Sequence, residues 1–183
     1  MRKFFILLYV LLSLNVFSQG VVGIKGGLNI STISGNSSYS EPKLGFNAGL
    51  FGEKFLNEQL SLRTEFYYSR QGVKSYELKK RYDYILLPLI LKVKISDVSF
   101  LFGSQAGTLF KAQLIDGSNK EIINASIENI DLSMLLGLEF ELNESHSLGF
   151  RFTHGITSTE NLDDSSFTPN VVFQLSLNKL IKK

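Results

Sequence analysis

The sequence predicts an all-β protein, an eight-stranded antiparallel up-and-down β-barrel that spans a membrane. Three observations support this prediction. Apolar and polar residues alternate along most of the chain after residue 19, the alternating segments are mostly nine or more residues long, and the connections between them are alternately long and short. Because successive side chains of a strand point to opposite faces, each alternating segment indicates a strand with one apolar and one polar face.

The first element is an export signal. Arg2 and Lys3 form a short positive region, residues 4–12 are an unbroken apolar run, and a more polar stretch with the small residue Ser18 comes next. This layout is typical of a secretory signal peptide, and the run is shorter than the roughly 20 residues of a membrane-spanning helix. We therefore predict a signal peptide at 1–19, a barrel domain at 20–178 and a short tail at 179–183.

Composition narrows the functions open to the exported chain. Without Arg2 and Lys3, the 19 Lys and Arg residues fall to 17, which equals the number of Asp and Glu residues. A neutral chain without a basic block gives no electrostatic reason to bind nucleic acid. The absence of Cys excludes disulfides, thiolate metal sites and a lipoprotein anchor.

The predicted strands are long enough to cross a bilayer. Membrane strands need about 9–11 residues, whereas strands of soluble proteins have a mode of about 5–6. None of the eight apolar faces carries Asp, Glu, Lys or Arg, and a Lys or Arg facing lipid would cost about 2–4 kcal/mol at the bilayer midplane. The predicted strands cover residues 22–30, 44–53, 60–69, 84–94, 98–111, 130–142, 148–156 and 171–178.

The connections between the predicted strands also indicate a membrane barrel, because long and short ones alternate. The long, polar ones are 31–43, 70–83, 112–129 and 157–170, and the short ones are near 54–59, 95–97 and 143–147. This order is typical of outer-membrane barrels, which have long external loops and short periplasmic turns. It places both chain ends in the periplasm and predicts the bacterial outer membrane as the location.

Alternation alone does not decide which face is wet. A soluble exported barrel that binds a small apolar ligand has the same period with its apolar face inward, so it remains an alternative. The membrane barrel is favoured because the polar faces are rich in Gly, which weakens a strand unless a neighbour packs closely against it. Aromatic residues near the strand ends also predict interfacial girdles. They are Tyr67, Tyr68, Tyr82, Tyr84 and Phe110 at one end, and Phe51, Phe55, Phe100, Phe140 and Phe150 toward the other.

Charges on the polar faces nearly balance, as buried charges must. We predict that they form a lumenal charge network. Eight strands enclose an interior just wide enough for side chains, so the lumen is expected to be plugged. The predicted network contains Lys25, Arg63, Glu65, Lys92, Lys94, Asp131, Glu139 and Arg151, and Glu53, Lys111 and Glu141 lie on the same faces.

Several motifs resemble one known family, the small outer-membrane "porin family" barrels of Bacteroidota, which include the PorT-like proteins. The motifs are Gly23-Ile24-Lys25-Gly26-Gly27-Leu28-Asn29, Gly45-Phe46-Asn47-Ala48-Gly49, Leu62-Arg63-Thr64-Glu65-Phe66-Tyr67-Tyr68-Ser69, the segment 84–92 and the closing strand 170–177. The resemblance implies an integral outer-membrane barrel whose partners are membrane lipid and the barrel-insertion machinery. It implies no particular solute.

Two features depart from simple expectations. Barrels of this kind often end on an aromatic residue, whereas this chain continues past Leu177 to Lys183. Pro88 lies in the middle of a predicted strand, where it removes a backbone donor. We expect a local bulge at Pro88.

The sequence offers little for catalysis. One candidate catalytic set consists of His154, Ser158 and Glu160. Some eight-stranded outer-membrane barrels are lipid A hydrolases, and such an enzyme needs a nucleophile with a base within hydrogen-bond reach. No His pair has metal-ligand spacing and no phosphate loop is present, so we predict no cofactor, no metal and no enzyme activity. The main hypothesis is a structural, adhesion or secretion-accessory protein whose loops, such as 112–129, contact a surface ligand or protein.

Overall fold

The computed structural model describes residues 20–34, 41–75, 78–116, 119–123, 130–158 and 168–182. The predicted signal peptide lies outside these residues. The strands are β1 (Val21–Ile33), β2 (Glu41–Phe55), β3 (Leu60–Ser75), β4 (Leu78–Ile95), β5 (Val98–Asp116), β6 (Asn119–Ile122), β7 (Ile130–Glu141), β8 (His146–Ser158) and β9 (Pro169–Lys182).

The strands close into a barrel. Their order is β4-β3-β2-β1-β9-β8-β7-β5, every neighbouring pair is antiparallel, and β4 also pairs with β5. The short β6 pairs with the last residues of β5 and forms a hairpin with them. Closure satisfies backbone hydrogen bonds without water, which a lipid-exposed sheet requires. The eight-stranded antiparallel barrel predicted from the sequence is thus confirmed.

The two ends of the barrel differ. One end, which we name the turn end, holds the short connections 56–59, 96–97 and 142–145 together with the first described residue and the end of β9. The other end, which we name the loop end, holds the connections from β1 to β2, β3 to β4, β5 through β6 to β7, and β8 to β9. Among the described residues, no helix is long and apolar enough to cross a membrane.

The apolar faces point outward. Leu136 is 54% exposed, whereas Arg63 and Glu139 are 2% and 1% exposed inside the barrel. Apolar side chains from the barrel strands together form a continuous outer belt that water would not tolerate. The soluble alternative required these side chains to fill the interior, so the structure excludes it.

The interior is not purely polar. Ile90, Leu101 and Leu135 form an apolar strip along one wall, and a second cluster of Tyr67, Tyr82, Tyr84, Leu86 and Ala112 fills the loop end of the lumen. The predicted girdles are therefore wrong at Tyr67, Tyr82, Tyr84 and Phe51, which occupy inward positions of their strands and are buried. The other aromatic residues of the two predicted girdles, such as Phe110 and Phe140, do point outward.

Pro88 causes no bulge, contrary to the prediction. The pairing of β3 with β4 keeps one register on both sides of it, and only the pairs opposite Pro88 and Leu87 are missing. The Thr64 hydroxyl donates to the Pro88 carbonyl at 3.1 Å and thereby satisfies a buried acceptor. The register shift lies instead between Asp83 and Tyr84, opposite Leu109 to Lys111.

Strands at both ends run further than the alternation predicted. Residues 70–75 and 78–83, predicted as part of a loop, continue β3 and β4 as a paired hairpin. Residues 179–182, predicted as a tail, belong to β9. Strands β3, β4 and β5 are 16, 18 and 19 residues long, whereas β7 has 12, so one side of the barrel projects beyond the other at the loop end.

The Thr64 hydrogen bond gives the first prediction. We expect Thr64→Val to lower the free energy of unfolding by about 1–2 kcal/mol, because the buried Pro88 carbonyl then loses this donor. Thr108 is an exposed, outward Thr on β5, and Thr108→Val is the matched control, with no expected loss. Urea unfolding in lipid vesicles measures both, and equal stabilities of the two variants would contradict this role of Thr64.

Candidate functional site: ion pairs across the lumen

The middle of the lumen is crossed by one bidentate ion pair. Arg151 of β8 donates from Nη1 to Glu65 Oε2 at 2.8 Å and from Nη2 to Glu65 Oε1 at 2.7 Å. Strands β3 and β8 are four strands apart in either direction around the barrel. The Glu65–Arg151 pair therefore spans the full width of the interior.

Lys25 joins the Glu65–Arg151 pair, and these three residues form the first of two charged layers in the lumen. Lys25 of β1 donates to Glu65 Oε2 at 2.8 Å and to the Gln174 side-chain oxygen at 3.1 Å. Its ammonium also lies 4.4 Å from the centre of the Tyr67 ring. Since a buried charge is tolerated only when it is paired and hydrogen-bonded, Glu65 is the group that makes both buried cations acceptable.

A second charged layer lies nearer the turn end. Arg63 donates from Nε to Glu53 Oε2 at 2.9 Å and from Nη2 to Glu139 Oε1 at 2.8 Å, so it bridges β2 and β7. Lys92 donates to the same Glu139 oxygen at 2.7 Å. The Phe51 ring packs on the Arg63 guanidinium at 4.6 Å. Two cations meet two carboxylates here, and the layer is neutral.

Uncharged polar groups fill the space toward the loop end. Asn29 donates to Ser69 at 2.8 Å and accepts from Asn47 at 2.8 Å. The Tyr67 hydroxyl donates to Gln105 at 2.7 Å. Sequence reasoning missed the part that these amide and hydroxyl side chains play, although each lies on the polar parity of its strand.

Glycine makes room for the largest of these side chains. A Cβ atom on Gly49 would collide with the Tyr67 backbone and Cβ, and one on Gly23 would collide with the Phe51 ring. The predicted reason for the many polar-face glycines, close packing in the interior, holds at both positions.

Six of the eight predicted network residues lie in the two layers, and two do not. Lys94 pairs with Glu141 at 2.6 Å at the turn-end rim, where both side chains are partly exposed. Asp131 is buried and bonded to Ser133, and no Lys or Arg among the described residues forms an ion pair with it. Glu53, which the sequence also places among the polar-face charges, is central to the second layer.

Lys111 faces outward, contrary to its predicted inward position. The register shift near Asp83 places Phe110 and Lys111 together on the outer side, because Lys111 pairs with Asp83 while Ala112 pairs with the buried Tyr82. A bulge inserts one residue and so reverses the facing of the residues beyond it.

The candidate hydrolase residues are not assembled. His154 is exposed on the outer face beside the Phe152 ring. Ser158 lies four residues further along β8, which is about 13 Å along a strand, and its hydroxyl accepts from the Thr168 amide at 3.3 Å. Glu160 lies outside the described residues. Within the described part of the chain, no three His, Asp or Glu side chains come close enough to hold a metal ion.

The turn-end layer borders a cavity of about 440 Å³. Its lining includes Arg63, Lys92 and Glu139 from the ion-pair layer, Glu144 from the short turn after β7, and His146, the first residue of β8. The charges of the ion-pair layer that border it are already paired, and the whole lining carries five Glu against three Lys and Arg.

The transverse pair gives a second prediction. We expect Glu65→Gln to lower the free energy of unfolding by about 3–5 kcal/mol, because Arg151 and Lys25 then lose their carboxylate. Combining Glu65→Leu with Arg151→Met and Lys25→Met should recover most of that loss, since no buried charge remains. Lys94→Gln is the control and should cost about 1 kcal/mol or less. Equal losses for Glu65→Gln and Lys94→Gln in urea titrations would show that Glu65 pairing is not important.

Comparisons with known proteins agree with this fold. Residues 17–161, well over half of the chain, match the family model described as outer membrane protein beta-barrel domain. No functionally curated protein matches the sequence closely enough to count as a relative.

Two solved structures share the fold at low identity. Neisserial surface protein A is 14% identical with a TM-score of 0.64, over 87% of this chain and 97% of that protein. Ail, the attachment invasion locus protein of Yersinia pestis, is 16% identical with a TM-score of 0.56, over 89% of this chain and 99% of Ail. Together with the outward apolar belt, the family match shows that this chain belongs to the outer membrane protein beta-barrel domain family and resides in the bacterial outer membrane.

Proposed function

We propose that this protein is a non-enzymatic scaffold with a closed lumen, which presents the projecting hairpins β3–β4 and β5–β6 at the cell surface for a structural or attachment role. The observation that carries this proposal is the Glu65–Arg151 pair, which joins opposite walls of the barrel through two charged hydrogen bonds. A pore would need that space to be open.

Closure of the lumen is supported by layers on either side of this pair. Toward the turn end, Arg63 links Glu53 and Glu139. Toward the loop end, the cluster of Tyr67, Tyr82, Tyr84, Leu86 and Ala112 is buried. An ion entering from either end would have to displace buried, paired side chains, and an eight-stranded barrel leaves little space for them to move.

A role at the surface is favoured by the projecting side of the barrel. Strand β5 is 19 residues long and β7, its neighbour, has 12, a difference of about 23 Å of strand. Hydrogen-bonded hairpins hold side chains in a fixed arrangement at little further entropy cost, which suits recognition. Ail is named for attachment, but an identity of 16% shows the fold alone; the attachment role of this chain therefore rests on its own hairpins.

The non-enzymatic part of the proposal rests on the separation of His154 from Ser158, which leaves the candidate base and nucleophile out of hydrogen-bond reach. We also infer that residues 1–19 direct export and that the barrel-insertion machinery assembles the chain. The resemblance to Bacteroidota porin-family and PorT-like barrels is the basis for proposing that group as its functional context. In β9, the outward Phe173, Leu175 and Leu177 are the residues we propose for recognition by that machinery.

The closed lumen predicts the electrical behaviour of the protein. Purified protein reconstituted into planar bilayers should give no large, steady conductance, because ion-paired layers obstruct the whole width. Heat-modifiable migration of the same preparation on a gel serves as the control for folding. A steady open-channel current from folded protein would contradict closure.

The proposed orientation predicts which end antibodies reach. An epitope inserted directly after Asp116, where β5 ends at the loop end, should be labelled on intact cells, whereas one inserted between Asn57 and Glu58 at the turn end should be labelled only after the outer membrane is opened. The opposite pattern would place the hairpins in the periplasm and exclude a surface role.

A further inference from the structure

A group of basic side chains covers the outer face of β3, β4 and β5 near the loop end. In one row across the three strands, Arg70 pairs with Asp83 and Asp83 with Lys111. The next outward residue of β4 is Arg81, followed by Lys79, which pairs with Lys74 of β3. We call Arg70, Lys74, Lys79, Arg81 and Lys111 the cationic patch.

The cationic patch has more positive charge than its carboxylates neutralise. Arg70 and Arg81 share Asp83, at 3.0 Å and 3.3 Å respectively, and the Asp83 side chain is itself 5% exposed. Lys74 pairs with Glu41 at 2.9 Å. Lys79 and Lys111 form no ion pair with any described residue. Five cations thus face two carboxylates on a chain whose sequence beyond residue 19 is neutral.

The cationic patch lies at the border of the apolar belt. Directly toward the membrane from Asp83, the Tyr68 hydroxyl donates to its carboxylate at 2.6 Å, and the Tyr68 ring packs against Phe46 with centroids 5.6 Å apart. Arg70 covers the same Phe46 ring at 4.9 Å. Phe110, beside Lys111, is 71% exposed. A Tyr anchored in this way is typical of the boundary between hydrocarbon and headgroups.

The opposite side of the barrel lacks these charges. At the same end, the described outward residues of β7, β8, β9 and β1 include Leu132, His154, Ile156, Val171 and Ile30, with no Lys or Arg among them. A general preference for basic residues at the interface would surround the barrel. The concentration of basic residues on one side of the barrel is what a localised binding site for an anion requires.

We propose that the cationic patch binds phosphate groups of an anionic lipid in the outer leaflet, with the acyl chains of that lipid lying on Phe46 and Phe110. Arg forks and Lys ammonium groups are the side chains that bind phosphate through charged hydrogen bonds. Asp83 positions the two guanidinium groups without neutralising them. The adjacent apolar surface favours a lipid over a soluble anion. This inference rests on the proposed orientation, since the loop end must meet the outer leaflet.

Native mass spectrometry of the full-length barrel in detergent, titrated with lipid A carrying two phosphates, tests the site. Each cation near an anionic surface contributes about 1 kcal/mol, so the double variant Arg81→Gln/Lys111→Gln should bind roughly 30-fold more weakly. Lys54→Gln/Lys179→Gln removes two lysines from the outer side of the turn end and should bind as the unmodified protein does. Arg81→Lys/Lys111→Arg keeps the charge and should retain most of the affinity.

Three results would overturn the site. The first is that the two Gln variants bind lipid A with equal affinity, and the second is that the unmodified protein binds lipid A with and without phosphates equally well. The third is that inorganic phosphate or sucrose octasulfate displaces lipid A at concentrations near that of the lipid. The last would assign the patch to a soluble anion. The epitope and conductance measurements on the same variants keep the outcomes distinct, because a surface-exposed, closed barrel with no lipid selectivity removes only this inference.

Discussion

The narrowness of an eight-stranded barrel is the constraint on which the rest of the structure depends. Its wall satisfies its own hydrogen bonds, so lipid can cover the outside, but the space left inside admits only side chains. Any charged group placed there loses water and must find an opposite charge or a hydrogen-bond donor within reach. Glu65 meets that demand by accepting from Arg151 across the whole interior and from Lys25 beside it.

This constraint explains features that otherwise look unrelated. Large inward residues such as Tyr67 and Phe51 require glycine opposite them, because a Cβ atom on Gly49 or Gly23 would overlap them. Carboxylates are shared between cations, as Glu139 is between Arg63 and Lys92. On our proposal of a closed lumen, the function lies at the outer surface, where the long side of the barrel carries both its projecting hairpins and its unbalanced charge.

The alternation in the sequence predicted the strands and grouped most members of the two ion-pair layers on one face, because a side chain's face depends on its parity. The outward direction of the apolar face needed further signals, namely the glycines and the balanced charges of the polar face. Its failures come from pairing, which no single segment reveals. The shift between Asp83 and Tyr84 depends on how β4 meets β5, and it turned Lys111 outward. Pro88 was expected to disturb the register, but β3 and β4 keep one register on both sides of it, and the Thr64 hydroxyl donates to the Pro88 carbonyl. Tyr82 and Tyr84 were assigned by their position near a strand end, and their inward parity proved decisive.

The orientation of the side chains along β7 tests most directly whether the apolar face of the barrel points toward lipid. The chain contains no Cys, so single Cys replacements from Leu132 to Leu138 can each carry one spin label in lipid vesicles. Collision rates with oxygen, which concentrates in lipid, should be high at 132, 134, 136 and 138 and low at 133, 135 and 137. High rates at the odd positions and low rates at the even ones would place the apolar face inside the barrel and contradict the membrane orientation.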